Sequence, residues 1–196
     1  MSIQMINVSV CYGEKEVLSG ISLILPENGT IALFGPSGSG KTTLLRVLAG
    51  LECPTAGRVE GLSGKRVTMV FQEDRLLPWY TAYENVLLAL PNAMPDRERA
   101  ARDWLSRMEL ADAADQLPAE LSGGMRRRVA LARALAYGGD ILLLDEPFNG
   151  LDDALRSRVA AHMKNAVPLM VLVTHDEQEA ALLGAQTISL ENINQK

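Results

Sequence analysis

The chain has 196 residues, 47% of them hydrophobic and 22% charged, with a formal net charge of −5. That is chain enough to bury a substantial core, too apolar to stay disordered, and too acidic for nucleic acid to be its main ligand. No apolar run approaches the roughly 18 residues of a membrane span, Met1-Ser2-Ile3-Gln4 lacks the pattern of a secretion signal, and Cys11 and Cys53 stand without metal-ligand spacing, as reduced thiols in the cytosol do.

In chain order, residues 3–10 set Ile3, Met5, Ile6, Val8 and Val10 against Gln4, Asn7 and Ser9 and predict an edge-type strand. Residues 17–25 predict a second strand, closed by the turn cluster Pro26-Glu27-Asn28-Gly29. Residues 30–34, apolar and β-branched, predict a buried strand, and residues 43–50, apolar at helical spacing with Gly50 as stop, a helix. Between them lies Gly35-Pro36-Ser37-Gly38-Ser39-Gly40-Lys41-Thr42, which fits G-x-x-x-x-G-K-[ST] in the strand–loop–helix context that makes the pattern a phosphate site. Glycines let successive backbone N–H groups point inward around a polyphosphate, and the helix N-terminus adds positive dipole. Lys41 would reach the β- and γ-phosphates, and the Thr42 hydroxyl would ligate Mg²⁺.

Residues 67–71 predict another strand. From residue 76 to 136 strand signals vanish: Ala100, Trp104, Leu105 and Met108 form one apolar stripe, and Ser122 N-caps a helix carrying Val129, Leu131, Ala132 and Leu135. Arg126-Arg127-Arg128 reads as a solvated face of that helix, and His162 as a surface residue. Residues 141–144, 169–173 and 187–190 predict three more strands; the first two are apolar on both faces, as parallel strands covered by helices must be.

Two further constellations carry chemistry. Asp145 and Glu146 end a buried strand, where carboxylates face the metal and the γ-phosphate: Asp145 would hold the cation, and Glu146 would orient and deprotonate water. Ser122-Gly123-Gly124 opens a helix and makes a second anion site. Two phosphate-binding helix ends with one carboxylate pair suggest a site shared between two chains.

Taken together these motifs resemble the ATPase subunits of ABC transporters over almost the full length of the chain. Gly35 to Thr42 is similar to the Walker A motif, Leu121-Ser122-Gly123-Gly124 to the family signature, and residues 141–146 to the Walker B strand with its catalytic glutamate. Gln72 resembles the Q-loop residue, Leu151-Asp152 the D-loop, His175 the switch histidine and Tyr12 the aromatic that stacks on adenine. The resemblance implies an α/β fold: a RecA-like P-loop NTPase core, mainly parallel with an antiparallel β edge (residues 1–75 and 137–196), plus a helical insertion subdomain (76–136). It implies ATP, bound by Tyr12, residues 35–42, Thr43 and, across a head-to-tail dimer, Ser122, Gly123 and Gly124. It implies Mg²⁺ on Thr42, Gln72 and Asp145, catalysis by Glu146 with His175 and Gln72, and coupling across the dimer by Asp152. The partners implied are a second copy, a membrane permease and, indirectly, an extracytoplasmic solute-binding protein, with the chain on the inner face of the cell membrane.

Met125 stands where glutamine is common, and Asn149-Gly150 where Ser-Ala is usual. Methionine there, and Phe71-Gln72-Glu73-Asp74-Arg75-Leu76-Leu77-Pro78-Trp79, resemble the nitrate, sulfonate and taurine importer type. Leu76, Leu77 and Trp79 either receive a short permease helix or belong to the core of the helical segment. The helix between Asp153 and Val167 is short for the family, and the sequence stops soon after its last strand, so regulation through a C-terminal extension is not expected. Two other classes remain at this point: an ABC-type ATPase acting as a conformational clamp outside transport, and a P-loop kinase, which would leave Ser122-Gly123-Gly124 without purpose.

Overall fold

The computed structural model describes residues 2–190. Two sheets carry the fold. The first is antiparallel, in the order β2-β1-β4: β1 (Ile3–Tyr12), β2 (Lys15–Leu25) and β4 (Ala56–Glu60). β1 is therefore the central strand and not the edge that its alternation predicts. Its second side is taken by β4, which pairs Val59 with Met5 and Ala56 with Ser9. Ala-Gly-Arg-Val-Glu has one large apolar residue, so no periodicity announces it.

The second sheet is parallel, in the order β5-β6-β7-β3-β8: β3 (Gly29–Phe34), β5 (Val67–Val70), β6 (Ile141–Asp145), β7 (Leu169–Val173) and β8 (Gln186–Ser189). Side chains alternate across a strand, and here the alternation sorts one apolar run into two cores. Ala32, Leu142, Leu144, Met170 and Leu172 join the core shared with the helices of the middle segment. Ile31, Leu33, Ile141, Leu143, Leu169 and Val171 face the antiparallel sheet and α1 (Lys41–Leu48). Both faces are covered, which is why β6 and β7 have no polar face. Each fully buried Leu or Ile contributes about 1.5–3 kcal/mol.

Between β5 and β6 the described chain is helical: α2 (Ala82–Leu87), α3 (Arg97–Arg107), one 3₁₀ turn at Ala111–Ala113, and α4 (Gly123–Tyr137). α2 opens with a capping box in which Thr81 and Glu84 satisfy each other's backbone N–H groups. α3 buries Ala101 and Leu105 completely, as does its C-cap Met108, a stripe one residue out of phase with the predicted one at its start, since Ala100 and Trp104 sit at its margin. Asn85 is buried in α2; its amide donates to the carbonyls of Leu77 (3.1 Å), Tyr80 (2.9 Å) and Thr81 (3.0 Å), and its Oδ1 accepts from Leu77 N (2.8 Å). That clasp shapes the loop so that Trp79 stands 84% exposed while Leu76 packs on the core. α5 (Asp153–Met163) connects β6 to β7, and α6 (Glu177–Leu183) connects β7 to β8.

Register fixes where chemistry can happen. Val173 of β7 pairs with Leu33 of β3 and with Asp145 of β6. The carboxyl ends of these three strands are level, so Gly35, Glu146 and His175 emerge along one edge of the sheet, where open α/β sheets bind ligands.

Candidate functional site

The loop from β3 to α1 is built for an anion. Gly40 is the N-cap of α1 in a left-handed conformation (φ +87°), with no side chain capping the first turn. A Cβ on Gly40 would stand 2.5 Å from Leu18 Cδ2 and 2.8 Å from the Val17 carbonyl, so only glycine fits. The uncapped N–H groups of the first turn are left for a phosphate. Ser39 Oγ is buried without a hydrogen-bond partner, 2.7 Å from where a Cβ on Gly35 would stand, so that position too is held to glycine. Lys41 Nζ donates to the carbonyls of Gly35 (2.6 Å) and Pro36 (2.8 Å), which holds the ammonium over the loop. Gly35, Pro36, Ser37, Gly38 and Thr43 make up the rest of the cradle.

Below the loop lies a cleft of ≈390 Å³ lined by Lys15, Ser37, Lys41, Thr42, Gln72, Asp145 and Glu146 among others. Thr42 Oγ1 donates to Asp145 Oδ2 at 2.7 Å, joining the first turn of α1 to the end of β6. Asp145 is 2% exposed; burial pushes its carboxyl above the ordinary range, the Thr42 hydrogen bond pulls it back, and neighbouring Glu146 raises it further. These are hard oxygen donors, the set a Mg²⁺ ion takes when substrate phosphates supply the remaining ligands. Among the described residues no cluster of three or more His, Cys, Asp or Glu side chains is placed to hold a metal by itself.

Glu146 has φ +48°, a conformation that costs a non-glycine residue about 1–3 kcal/mol. Its N–H donates to the Val173 carbonyl (2.9 Å), and its Oε1 lies 3.6 Å from His175 Nδ1. The His175 side chain is 78% exposed and belongs to a small adjoining cavity of ≈110 Å³. Its flanks are fixed: the Thr174 hydroxyl donates to Glu179 and accepts from Asp176 N (3.0 Å), and Arg156 Nη1 donates to Asp176 Oδ2 (2.6 Å). Burial raises the Glu179 carboxyl, while the Thr174 hydrogen bond and Arg156 lower it.

The remaining predicted residues lie elsewhere. Tyr12 is 44% exposed at the end of β1, outside the cleft lining, and its hydroxyl donates to Glu52 Oε2 (2.8 Å). Ser122, Gly123 and Gly124 are likewise outside the cleft; Ser122 Oγ caps α4 by accepting from Met125 N (3.2 Å). A Cβ on Gly124 would fall 2.8 Å from the Gly150 carbonyl, so the unusual Asn149-Gly150 segment packs directly on the start of α4. Asp152 N-caps α5, its Oδ1 accepting from Leu155 N (2.9 Å).

One expectation fails outright. Arg127 does not lie on a solvated face: it is 2% exposed, and its guanidinium donates to the carbonyls of Phe71, Asp145, Glu146 (2.7 Å) and Pro147 (3.0 Å). Burial draws its pKa below the ordinary arginine value, with Asp74 at 3.6 Å acting in the opposite sense. The spacing held the signal: Arg127 is four residues before Leu131 and seven before Ala134, on the buried stripe of α4. Lys15 and Val17, also in the cleft, carried none beyond their place at the start of β2.

A glycine loop feeding an uncapped helix, with a lysine and a strand-end carboxylate pair on a parallel sheet, defines an α/β P-loop nucleoside triphosphatase. The sequence pattern of the family described as "ABC transporter" matches residues 18–149, and the chain belongs to that family; it is an ABC-type ATPase, a class of ATP hydrolases. It is 42% identical over 197 residues to an aliphatic sulfonates import ATP-binding protein of Shouchella clausii, covering 98% of this chain and 78% of that one. It is 38% identical to a sulfate/thiosulfate import ATP-binding protein of Escherichia coli, of which it spans 59%. The dimeric structure of a bacterial ABC transporter cassette superposes with a TM-score of 0.87 at 32% identity, covering 96% of this chain and 94% of that one. A second structure, of an ATP-binding cassette dimer in a post-hydrolysis state bound to ADP and Pi, gives 0.84 at 30% identity, with the same coverage.

Proposed function

We propose that the chain hydrolyses ATP as a subunit that drives a separate membrane permease for import of a small solute, through ATP-dependent head-to-tail dimerisation. The observation that carries this reading is the separation of two anion-binding helix ends. The N-terminus of α1 opens into the cleft with the carboxylate pair, whereas that of α4 lies outside it. A γ-phosphate on Lys41 and the α1 N-terminus would be met by Ser122, Gly123 and Gly124 of a second copy, so that ATP holds the two chains together.

In that reading Tyr12 stacks on adenine, residues 35–43 bind the phosphates, and Glu146 takes a proton from the water that attacks in line. His175, 3.6 Å from Glu146, steadies that water and the γ-phosphate. Thr42, Asp145 and Gln72 would hold Mg²⁺, which neutralises charge developing on the phosphate oxygens. Loss of the γ-phosphate removes the bridge and the dimer opens. Asp152 couples the halves. Residues 76–136 act as a helical subdomain set into the core formed by 1–75 and 137–196. Among the described residues no helix is long and apolar enough to cross a membrane, so movement of solute requires a permease. Exposed Trp79 and Leu77, just past Gln72, offer the surface on which its helix docks. The chain then works at the inner face of the membrane, with a solute-binding protein delivering cargo from the other side. Import, and sulfonate-like anions as the cargo, are supported by the names of the relatives at 38–42% identity.

The test is the solution mass of Glu146→Gln by light scattering with and without ATP and Mg²⁺. We expect hydrolysis to fall by about 10²–10⁴-fold and a dimer to form only with ATP. A variant that binds ATP, does not hydrolyse it and stays monomeric would overturn the shared site.

A further inference from the structure

Arg127 is the most heavily engaged buried cation among the described residues, and the chemistry above does not use it. It projects from α4 into the junction of two segments. Nε donates to the Pro147 carbonyl (3.0 Å), and Nη2 to those of Glu146 (2.7 Å) and Asp145. Nη1 donates to the Phe71 carbonyl and approaches that of Gln72 (3.5 Å), with Asp74 Oδ1 at 3.6 Å. One planar fork thus holds three successive carbonyls around Glu146 and, on its other side, the strand end that carries Gln72. Only arginine offers five donors in that fixed geometry; lysine is a point charge and glutamine has two N–H groups.

The position matters because Glu146 sits at φ +48°, a conformation that persists only where its surroundings impose it. Three groups hold the Glu146 backbone: the Val173 carbonyl on its N–H, and on its C=O the Asn149 N–H (3.3 Å) and, closer and from a distant segment, Arg127 (2.7 Å). Among the described residues, no hydrogen bond or ion pair joins Arg127 to a side chain of the phosphate loop. We propose that Arg127 is a positioning residue for hydrolysis: it fixes the backbone of Glu146, and so the direction of its carboxylate, and keys it to the Gln72 segment. This rests on the reading of Glu146 as the base. Arg127 then affects the chemical step and leaves nucleotide binding, which Lys41 and the loop provide, almost alone.

The experiment measures kcat, the Kd for ATP and the unfolding temperature of Arg127→Lys, alone and combined with Glu146→Gln. Arg107→Ala, an exposed arginine on α3 stacked on Trp104, controls for loss of a cation. We expect kcat to fall about 10- to 100-fold, the scale of an ångström-sized misplacement of a catalytic group, with Kd changed less than about 3-fold. In the Glu146→Gln background the slow residual turnover should not fall further. Unchanged kcat overturns the proposal, as does a parallel fall in kcat and affinity, or an equal fall on top of Glu146→Gln. If Arg127→Lys does not fold, Arg127→Gln is read the same way; if neither folds, Arg127 is a structural support and the proposal falls. Full hydrolysis by Glu146→Gln alone would instead remove the assignment of the base, independently of Arg127.

Discussion

The two glycine-rich helix starts, α1 and α4, look alike in sequence and differ in construction. α1 begins at a left-handed Gly40 with no side-chain cap and a lysine held over its axis. α4 begins at an extended Ser122 whose own hydroxyl satisfies the third N–H, and its Gly124 lies against the Gly150 backbone. An uncapped end leaves its orphan N–H groups to a ligand; the Ser122 cap satisfies one N–H of α4 and leaves those of Gly123 and Gly124 to whatever approaches. The contrast fits one end that binds nucleotide within the chain and another that meets it from a neighbour.

The comparison can be broken most sharply at Gly40. Gly40→Ala puts a methyl against Leu18 and the Val17 carbonyl at φ +87°, and should cost on the order of 1–3 kcal/mol and abolish ATP binding. Equilibrium titration with a fluorescent ATP analogue reads the second effect, and retained affinity would mean that the loop does not need its present shape. A smaller effect is expected at the other helix. Ser122→Ala should lose about 1 kcal/mol of capping, a fall of roughly 2–4 °C in unfolding temperature for a chain of this size, with the monomer's affinity for ATP unchanged. Weakened monomer binding would show that both ends serve one chain's site. The smallest effect concerns Asp145, on which the first turn of α1 leans. Its folded pKa is raised by burial, so its contribution to stability is present below the unfolded pKa and is lost as pH rises through the folded one. Above that folded pKa the ionised carboxyl costs stability, and nucleotide-free Asp145→Asn should unfold at a higher temperature than the parent, by less than the Ser122 cap contributes, the gain shrinking as pH falls. A gain that persists at acid pH would place its origin outside that ionisation.

What could be read from the sequence follows from how much of each element's environment lies in its own residues. The phosphate loop and strands β3, β6 and β7 were legible because burial on both faces forces continuous apolar runs and the turn between them demands glycine. The carboxylates at 145 and 146 and the histidine at 175 were legible because they end such runs. β4 was not, since its pairing is dictated by the free side of β1 and not by its own five residues. Arg127 was misread because charge suggests solvent: burial of a guanidinium becomes favourable only when several carbonyls from distant segments converge on it, and convergence has no local signature.

The strand that bears the phosphate loop pairs Gly29 with Leu169 and Ile31 with Gln186. Its neighbours on both sides are thus translated late, after the whole helical segment. On the ribosome, the antiparallel sheet can close within the first sixty residues, but β3 waits for β7 before it has a hydrogen-bonding partner. A nascent chain halted before residue 169 therefore carries every residue of the phosphate loop, and β5 and β6 can already pair, yet β3 has neither of its hydrogen-bonding neighbours. The pairing thus makes the seating of the strand that bears the phosphate loop a late event in synthesis.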